Sequence, residues 1–546
     1  MTGGRAAARA TSVSRMAVPA GSALRWPQAK ALTSARVAVP LGLGLIGAIS
    51  VLLRTERFDV GFWIDEGLSV GIADRPLTDI PGVLRQDGSP PLYYLLLHLW
   101  IRLTGDTGEP GTHALSLILA TLTIPVAFVL VAAVAGRRAG WIAAALFALD
   151  PFVTQYAQET RMYALVILLA LVSTACFTAA FAFERGRGWV IAFALAHAAL
   201  LYTHNWALFL GAGLAAAWVL LLALAADRAR RRRLVREGLL AAGIIVLLYL
   251  PWLPTMLFQV AHTAAPWANP PDQEDLVGAP ERLLGFTGQY VLLVGVVAGF
   301  AALLGRRPRP RALEPAARAA LALLVTAAVT LLVPYLWSQH EPAWAGRYLA
   351  VAVPPLLLLC SLTLARAGAL GIGVTVLTAL LWLGLNGPSA KSNVRAVAHA
   401  IAPSLAPGDL VISTQPEQAP VLHHYLTAND LGDLRWATLW GPLTDLGVTD
   451  WRDGVDRLEA TSPAKDLAPL LDTVKPGGRV ALILPDTQNL ARWRAPWTAL
   501  VRQRSAAWEQ WMHDDPRFRV VHEESIDSTP PPNSVRTVIL RREPVG

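Results

Sequence analysis

The sequence predicts a mostly α-helical, polytopic membrane protein that ends in a soluble α/β domain. Three observations predict it. Of 546 residues, 54% are hydrophobic and only 16% charged, where a soluble domain carries about 25% charged residues. Apolar runs that approach or reach the ~20 residues of a membrane span are separated by short arginine runs. After residue 386 the composition changes, and residues 390–546 carry nearly half of the acidic side chains.

The elements follow in order. Residues 1–36 contain Arg5, Arg9, Arg15, Arg25, Lys30 and Arg36 and no acid, which reads as a cytoplasmic tail before an uncleaved first span at 37–53. Further spans are predicted near 113–135, 140–157, 162–183, 189–203, 207–226, 237–255, 284–304, 316–337, 349–365 and 369–386. The formal charge of +8 does not point to nucleic acid, because the basic residues sit between apolar segments, the positive-inside pattern. The clusters are Arg137-Arg138, Arg185 to Arg187, Arg228 to Arg236, Arg306 to Arg311 and Arg366. About eleven spans place every cluster in the cytoplasm, make 54–112 a long external loop and leave the C-terminus outside. Residues 91–104 are too short to span without inverting that order, so they are predicted to lie on the outer leaflet as a helix begun by Pro90-Pro91. Cys176 and Cys360 both fall in apolar segments, which argues against a disulfide framework.

Beyond residue 386, the β-like runs 409–413, 479–485, 519–523 and 535–542 alternate with helical stretches, the pattern of an α/β domain. The run VKPGGRVALILP resembles a strand of a nucleotide-binding fold, but no G-x-G-x-x-G follows a first strand.

Polar clusters gather on the predicted outer side. The first external loop contains FWIDEGLSV, whose adjacent Asp65 and Glu66 sit among apolar residues, where partial burial tunes a carboxylate toward accepting a hydroxyl proton. Asp87 precedes the proline pair, where it or Ser89 either caps the next helix or contacts substrate. In DPFVTQYAQETRMYAL, helical spacing pairs Gln158 with Arg161 and Glu159 with Tyr163. Arg161 opposes the positive-inside trend at a depth where an unpaired charge is costly, so it pairs with Glu159 or binds a ligand anion. Asp150 is a further carboxylate at that end. LYTHNW adds His204, and WSQHEPAWAGRYL adds His340, Arg347 and Tyr348, with Arg347 repeating the anomaly of Arg161. Clusters scattered by structure alone would occupy both faces; their shared side argues for one site at the outer leaflet.

Three of these motifs in order, W-x-D-E-G-x-S, D-x-S-P-P-L-Y-Y-L-L-L-H-L-W and P-F-x-x-x-Y-A-Q-E-T-R-M-Y-A-L, closely resemble glycosyltransferase family 39. This is the protein O-mannosyltransferase and aminoarabinose-transferase superfamily, with the GT-C fold. The resemblance covers roughly residues 55–210, and the family also has a proline-rich helix in its first external loop. It implies a polyprenyl-phosphate sugar donor, inversion at the anomeric carbon, Asp65 as the catalytic carboxylate with Glu66 as its neighbour, and Arg161 as the arginine of the third motif. One departure is visible: where the second span often opens Arg-x-x-Ser, this chain reads His113-Ala114-Leu115-Ser116.

The chemistry is consistent with that implication. A phosphate leaving group needs charge stabilisation, and a charge-assisted bond from Arg161 or Arg347 supplies about 1.5–3 kcal/mol. The expected function is transfer of mannose or arabinose to a cell-envelope glycan, glycolipid or protein hydroxyl at the plasma membrane. Asp65 and Glu66 are the expected catalytic groups, Arg161 and Arg347 bind the donor phosphate, and Asp87, Gln158, Glu159, Tyr163, His204, His340 and Tyr348 contact substrate. No ligand spacing demands a metal, though the outer acids could hold a divalent cation. A transporter or flippase is the main rival, opposed by span interiors nearly free of charge. A non-catalytic membrane scaffold is the second rival, in which Asp65 and Arg161 would be dispensable.

Overall fold

The computed structural model describes residues 27–56, 58–305, 313–384, 390–524 and 531–544. The predicted tail before residue 27 and the cluster Arg306 to Arg311 lie outside the described residues. The chain divides into a unit of residues 1–45, described as helix from Pro27, and a unit of residues 46–546 that holds the rest of the bundle and the sheet.

Helices stand at every predicted span, but their lengths differ. Among the described residues, five are long and apolar enough to cross a membrane: Val37–Arg54, Glu109–Ala135, Tyr163–Ala182, Phe286–Leu304 and Pro315–Trp337. A sixth is the pair Arg228–Tyr249 and Leu253–His262, bent by 72°, where Pro251 stops one helix and Pro254 lies in the first turn of the next. Arg187–Leu201, Ala207–Ala223, Val353–Arg366 and Gly368–Leu383 are shorter apolar helices. The predicted span 140–157 is cut at Asp150, which ends Arg137–Leu149 and caps Pro151–Tyr156 by accepting a bond from Val153 N at 3.0 Å. The run from Arg228 is not a loop but the opening turns of its helix, capped by Asp227.

The basic segments meet one another. Glu184 receives Arg230 at 3.0 Å and both Arg233 and Arg318 at 3.2 Å. Arg138 donates to Gly368 O, and Arg366 faces Glu314. These contacts join the helix ends at 137, 184, 230, 318 and 366.

The opposite end carries three short helices, α1 (Ile64–Ala73), α2 (Ile80–Asp87) and α3 (Leu92–Thr104), and the start of the long α4 (Glu109–Ala135). With 13 residues, α3 is about 20 Å long, too short to span. It buries Tyr93, Tyr94 and Leu97 on one side and exposes Leu99 and Leu103 on the other. No side chain caps α3. Asp87 is instead the last residue of α2, so the capping role weighed for Asp87 or Ser89 is not observed.

Residues 390–544 form a six-stranded sheet, β1 (Leu410–Ser413), β2 (Arg435–Thr438), β3 (Gly441–Pro442), β4 (Arg479–Pro485), β5 (Phe518–Glu524) and β6 (Val535–Arg542), ordered β3-β2-β1-β4-β6-β5. β1 pairs in parallel with β2 and β4; the outer pairs are antiparallel. β4 reads as a continuous apolar run because helices cover both faces: Leu458, Leu471 and Trp508 pack on one, Val397, Leu422 and Leu426 on the other.

This domain is not a separate body. Tyr425 donates to Glu109 at 2.6 Å and receives Phe62 N at 2.6 Å, and Trp497 N bonds Pro266 O. α1 approaches it through two glycines one turn apart. A Cβ on Gly67 would lie 2.6 Å from Val421 Cβ, and one on Gly71 2.4 Å from Gly447 O, so any larger residue would force α1 away.

Candidate active site

α1 gives its two carboxylates different partners. Asp65 faces cations from two distant segments, with Arg347 Nε at 3.5 Å and Arg161 Nη2 at 3.6 Å. Arg161 is fixed by further donation to Asp65 O, Ser69 Oγ (3.0 Å) and Tyr94 Oη. Arg347 stands among the rings of Trp63, Trp267 and Tyr348, its guanidinium carbon 4.7–5.3 Å from their centroids, a cation–π arrangement.

Glu66 is fully buried and fully engaged. Its oxygens accept from His113 Nε2 at 2.8 Å, Thr160 N at 2.8 Å, Lys391 Nζ at 2.7 Å and Trp63 N at 3.3 Å. The last of these is the acidic half of a capping box. Burial alone would raise its pKa, but Lys391 and His113 reverse the effect and hold it at about 2. Glu66, expected beside Asp65 among the catalytic groups, thus has both carboxylate oxygens taken up by donors of the protein itself. His113, at the departure from the family pattern, is one of its anchors.

Residues 157–162 are not helical, so the i,i+4 pairing of Glu159 with Tyr163 does not form, nor does an Arg161–Glu159 ion pair. Arg161 pairs with Asp65 instead. Ser116 holds the Glu159 carbonyl at 2.6 Å, and Gln158 O receives Lys391. The Glu159 carboxylate is buried with Oε2 unpartnered. Burial raises its pKa, Lys391 opposes, and Glu66 and Asp65 add to the rise, leaving it near 7.

A cavity of about 720 Å³ opens here, lined by Glu159, Arg282, Arg347 and Lys391 with an apolar wall that includes Leu53, Leu149, Phe152 and Trp382. Asp87 is pushed up to about 6 by burial, which the Ser89 hydrogen bond and Arg161 oppose. His204 lies 4.7 Å from the Tyr348 ring and 5.9 Å from that of Tyr163. Burial and the two arginines push it down to about 3, so it is neutral. His340, by contrast, is exposed and outside the cavity lining.

Sequence reasoning missed Lys391, Arg282 and Trp267. Lys391 did leave a signal, being one of only four lysines in the chain and the first cation after the bundle. Among the described residues no group of three or more His, Cys, Asp or Glu converges on a metal site.

The arrangement is a helical bundle whose first inter-helix segment supplies a carboxylate beside a small sheet domain. Residues 88–254 match the family model described as dolichyl-phosphate-mannose-protein mannosyltransferase. The chain is similar to the apo structure of ArnT from Cupriavidus metallidurans (15% identity, 94% of this chain and 98% of that one, TM-score 0.58) and to that protein bound to undecaprenyl phosphate (14%, 91% and 97%, TM-score 0.53). It is also similar to the arabinofuranosyltransferase AftD from Mycobacteria (16%, 92% of this chain but 40% of that one, TM-score 0.51). No curated protein sequence matches it. The family model reaches residues 88–254, overlapping the stretch that carries the sequence motifs, and the solved structures share the fold of the whole chain.

Proposed function

We propose that the protein is an inverting glycosyltransferase that moves a sugar, mannose or arabinose, from a polyprenyl-phosphate donor to a hydroxyl of a cell-envelope glycan, glycolipid or protein. In this reading the bundle crosses the plasma membrane eleven times, and Asp65 and the sheet domain face outward. The observation that carries it is a carboxylate 3.5 Å from an arginine that also lines a cavity with two further cations and an apolar wall. Phosphate and isoprenoid need those two kinds of surface. The ArnT complex with undecaprenyl phosphate supports the same ligand class here.

The donor phosphate sits among Arg282, Arg347 and Lys391, with its first isoprene units along the apolar wall. The acceptor oxygen attacks the anomeric carbon opposite the phosphate, and Asp65 takes its proton. The carbon–oxygen bond to phosphate breaks with its electron pair on the phosphate, where charge-assisted bonds stabilise it. Arg347 touches both partners: when phosphate draws on its charge, Asp65 is less tightly held and becomes a better base. Arg161, outside the cavity lining, orients Asp65. This divides the phosphate role first expected of Arg161 and Arg347. Asp87, Gln158, Tyr163, His204 and Tyr348 surround the charged pair and shape the sugar's place.

The test uses purified protein in lipid with labelled polyprenyl-phosphate mannose and arabinose. Release of one sugar by the wild type but not by Asp65→Asn, with donor binding retained, supports the reading and names the sugar. Equal activity of Asp65→Asn would remove Asp65 as the base. No turnover or binding of either donor would defeat the transferase reading.

A further inference from the structure

A second polar cavity lies in the sheet domain, apart from the chemistry at Asp65. β1 is central: the chain leaves it toward β2 on one side and, after β3, crosses over to place β4 on the other. The gap between the carboxyl ends of β1 and β4 is therefore the switch point of the parallel part of the sheet, where open α/β sheets bind ligands. A cavity of about 470 Å³ opens there, lined by Gln415 after β1, Asp486, Gln488 and Asn489 after β4, Trp493, and Asn533 before β6.

The lining chemistry is specific. It combines two kinds of planar polar group, amide and carboxylate, with an indole. Amides and carboxylates offer paired donors and acceptors to adjacent hydroxyls, and an indole offers an apolar face to a sugar ring. Among the described lining residues the polar groups are amides, hydroxyls and one carboxylate. The loop is held in place: Asp486 N bonds Ser534 O at 2.8 Å, Asp486 Oδ1 receives Gln488 N at 3.0 Å, and Gln418 Nε2 holds Asn533 O at 3.1 Å. Asn533 is one of few non-glycine residues with positive φ, at 58°, a conformation that costs energy and tends to persist at functional positions. It also lines the larger cavity beside Arg347 and Lys391, so the two cavities share a wall.

We propose that this cavity is an acceptor subsite for a neutral carbohydrate chain, with Asp486, Gln488 and Trp493 as its principal contacts. A chain seated there passes Asn533 toward the donor cavity. This rests on the transferase reading for its purpose but not for its binding chemistry.

The test titrates full-length protein in lipid nanodiscs with neutral manno- and arabino-oligosaccharides of four to six units, read by saturation-transfer NMR. Expected is binding of at least one series to the wild type and to Asp65→Asn, weakened at least tenfold in Asp486→Ala and Trp493→Ala. If either variant fails to fold, Gln488→Ala carries the comparison. Transfer to a bound oligosaccharide should show a raised acceptor KM in these variants with kcat little changed. Absence of binding to the wild type, or equal binding to all variants, overturns the subsite. Hydrolysis of a polyprenyl-phosphate sugar by the wild type, measured in the same preparation, reads the donor reaction separately. Its failure would defeat the transferase reading and leave the titration to decide the subsite.

Discussion

Each end of the helix bundle holds a carboxylate surrounded by arginines, and the two are built differently. At one end Glu184 is reached by three guanidinium groups at 3.0–3.2 Å, and its partners are also tied to neighbouring groups such as Ala182 O and Glu237. At the other end Asp65 has two arginines at 3.5–3.6 Å, longer than a charge-assisted hydrogen bond, and one of them faces an open cavity. The tight cluster fastens helices together. The loose one keeps charge in reserve for something that arrives. Glu66, beside Asp65 in sequence, has the tight geometry, so the distinction lies in the surroundings and not in position along the chain.

The largest expected effect is on Asp65. Asp65→Asn should reduce sugar transfer by about 10²–10⁴-fold, the usual contribution of a general base, with little change in melting temperature. Glu66→Gln should do the reverse in kind: removing one partner of a buried ion pair costs about 3–5 kcal/mol, read as a fall in the melting temperature of the purified protein. A variant of normal stability would break the contrast between the two acids.

Gly67→Ala sharpens it from the other side of α1. A methyl group 2.6 Å from Val421 should cost about 1–3 kcal/mol of overpacking, lower the melting temperature and reduce turnover as Asp65 is displaced. Next comes pH. With Glu159 titrating near 7, its protonated form below that pH can donate to the donor phosphate, and its charged form above repels it. Donor KM should rise about tenfold from pH 6 to pH 8, roughly 1.4 kcal/mol, and Glu159→Gln should flatten the profile. The smallest effect is expected at the fastened end: Arg233→Ala, at a partly exposed pair, should cost no more than about 1 kcal/mol and leave turnover unchanged. A large loss of turnover there would show that both ends serve the reaction.

Much of this was legible in the sequence, for identifiable reasons. Asp65, Asp87, Arg161 and His204 sit in local motifs whose polar residues interrupt apolar runs. Four of six strands were readable because β1, β4, β5 and β6 are apolar or alternating; β2 is a short mixed run, RWAT, and β3 has only two residues. Helical spacing misled at 158–163, because the short helix begun at Pro151 ends at Tyr156 and the next starts only at Tyr163. Lys391 was invisible for another reason. It meets Glu66 across 325 positions, and no local pattern records a pairing over that distance.

That last contact has a consequence for biosynthesis. The ammonium that neutralises Glu66 comes from a segment made after all the helices of the bundle, and Trp497, which anchors the sheet domain to Pro266 O, comes a hundred residues later still. A chain still emerging from the ribosome thus has its spans but not the clamp that seats α1. Glu66 therefore stays unneutralised, and α1 unclamped, until the segment that carries Lys391 has been made.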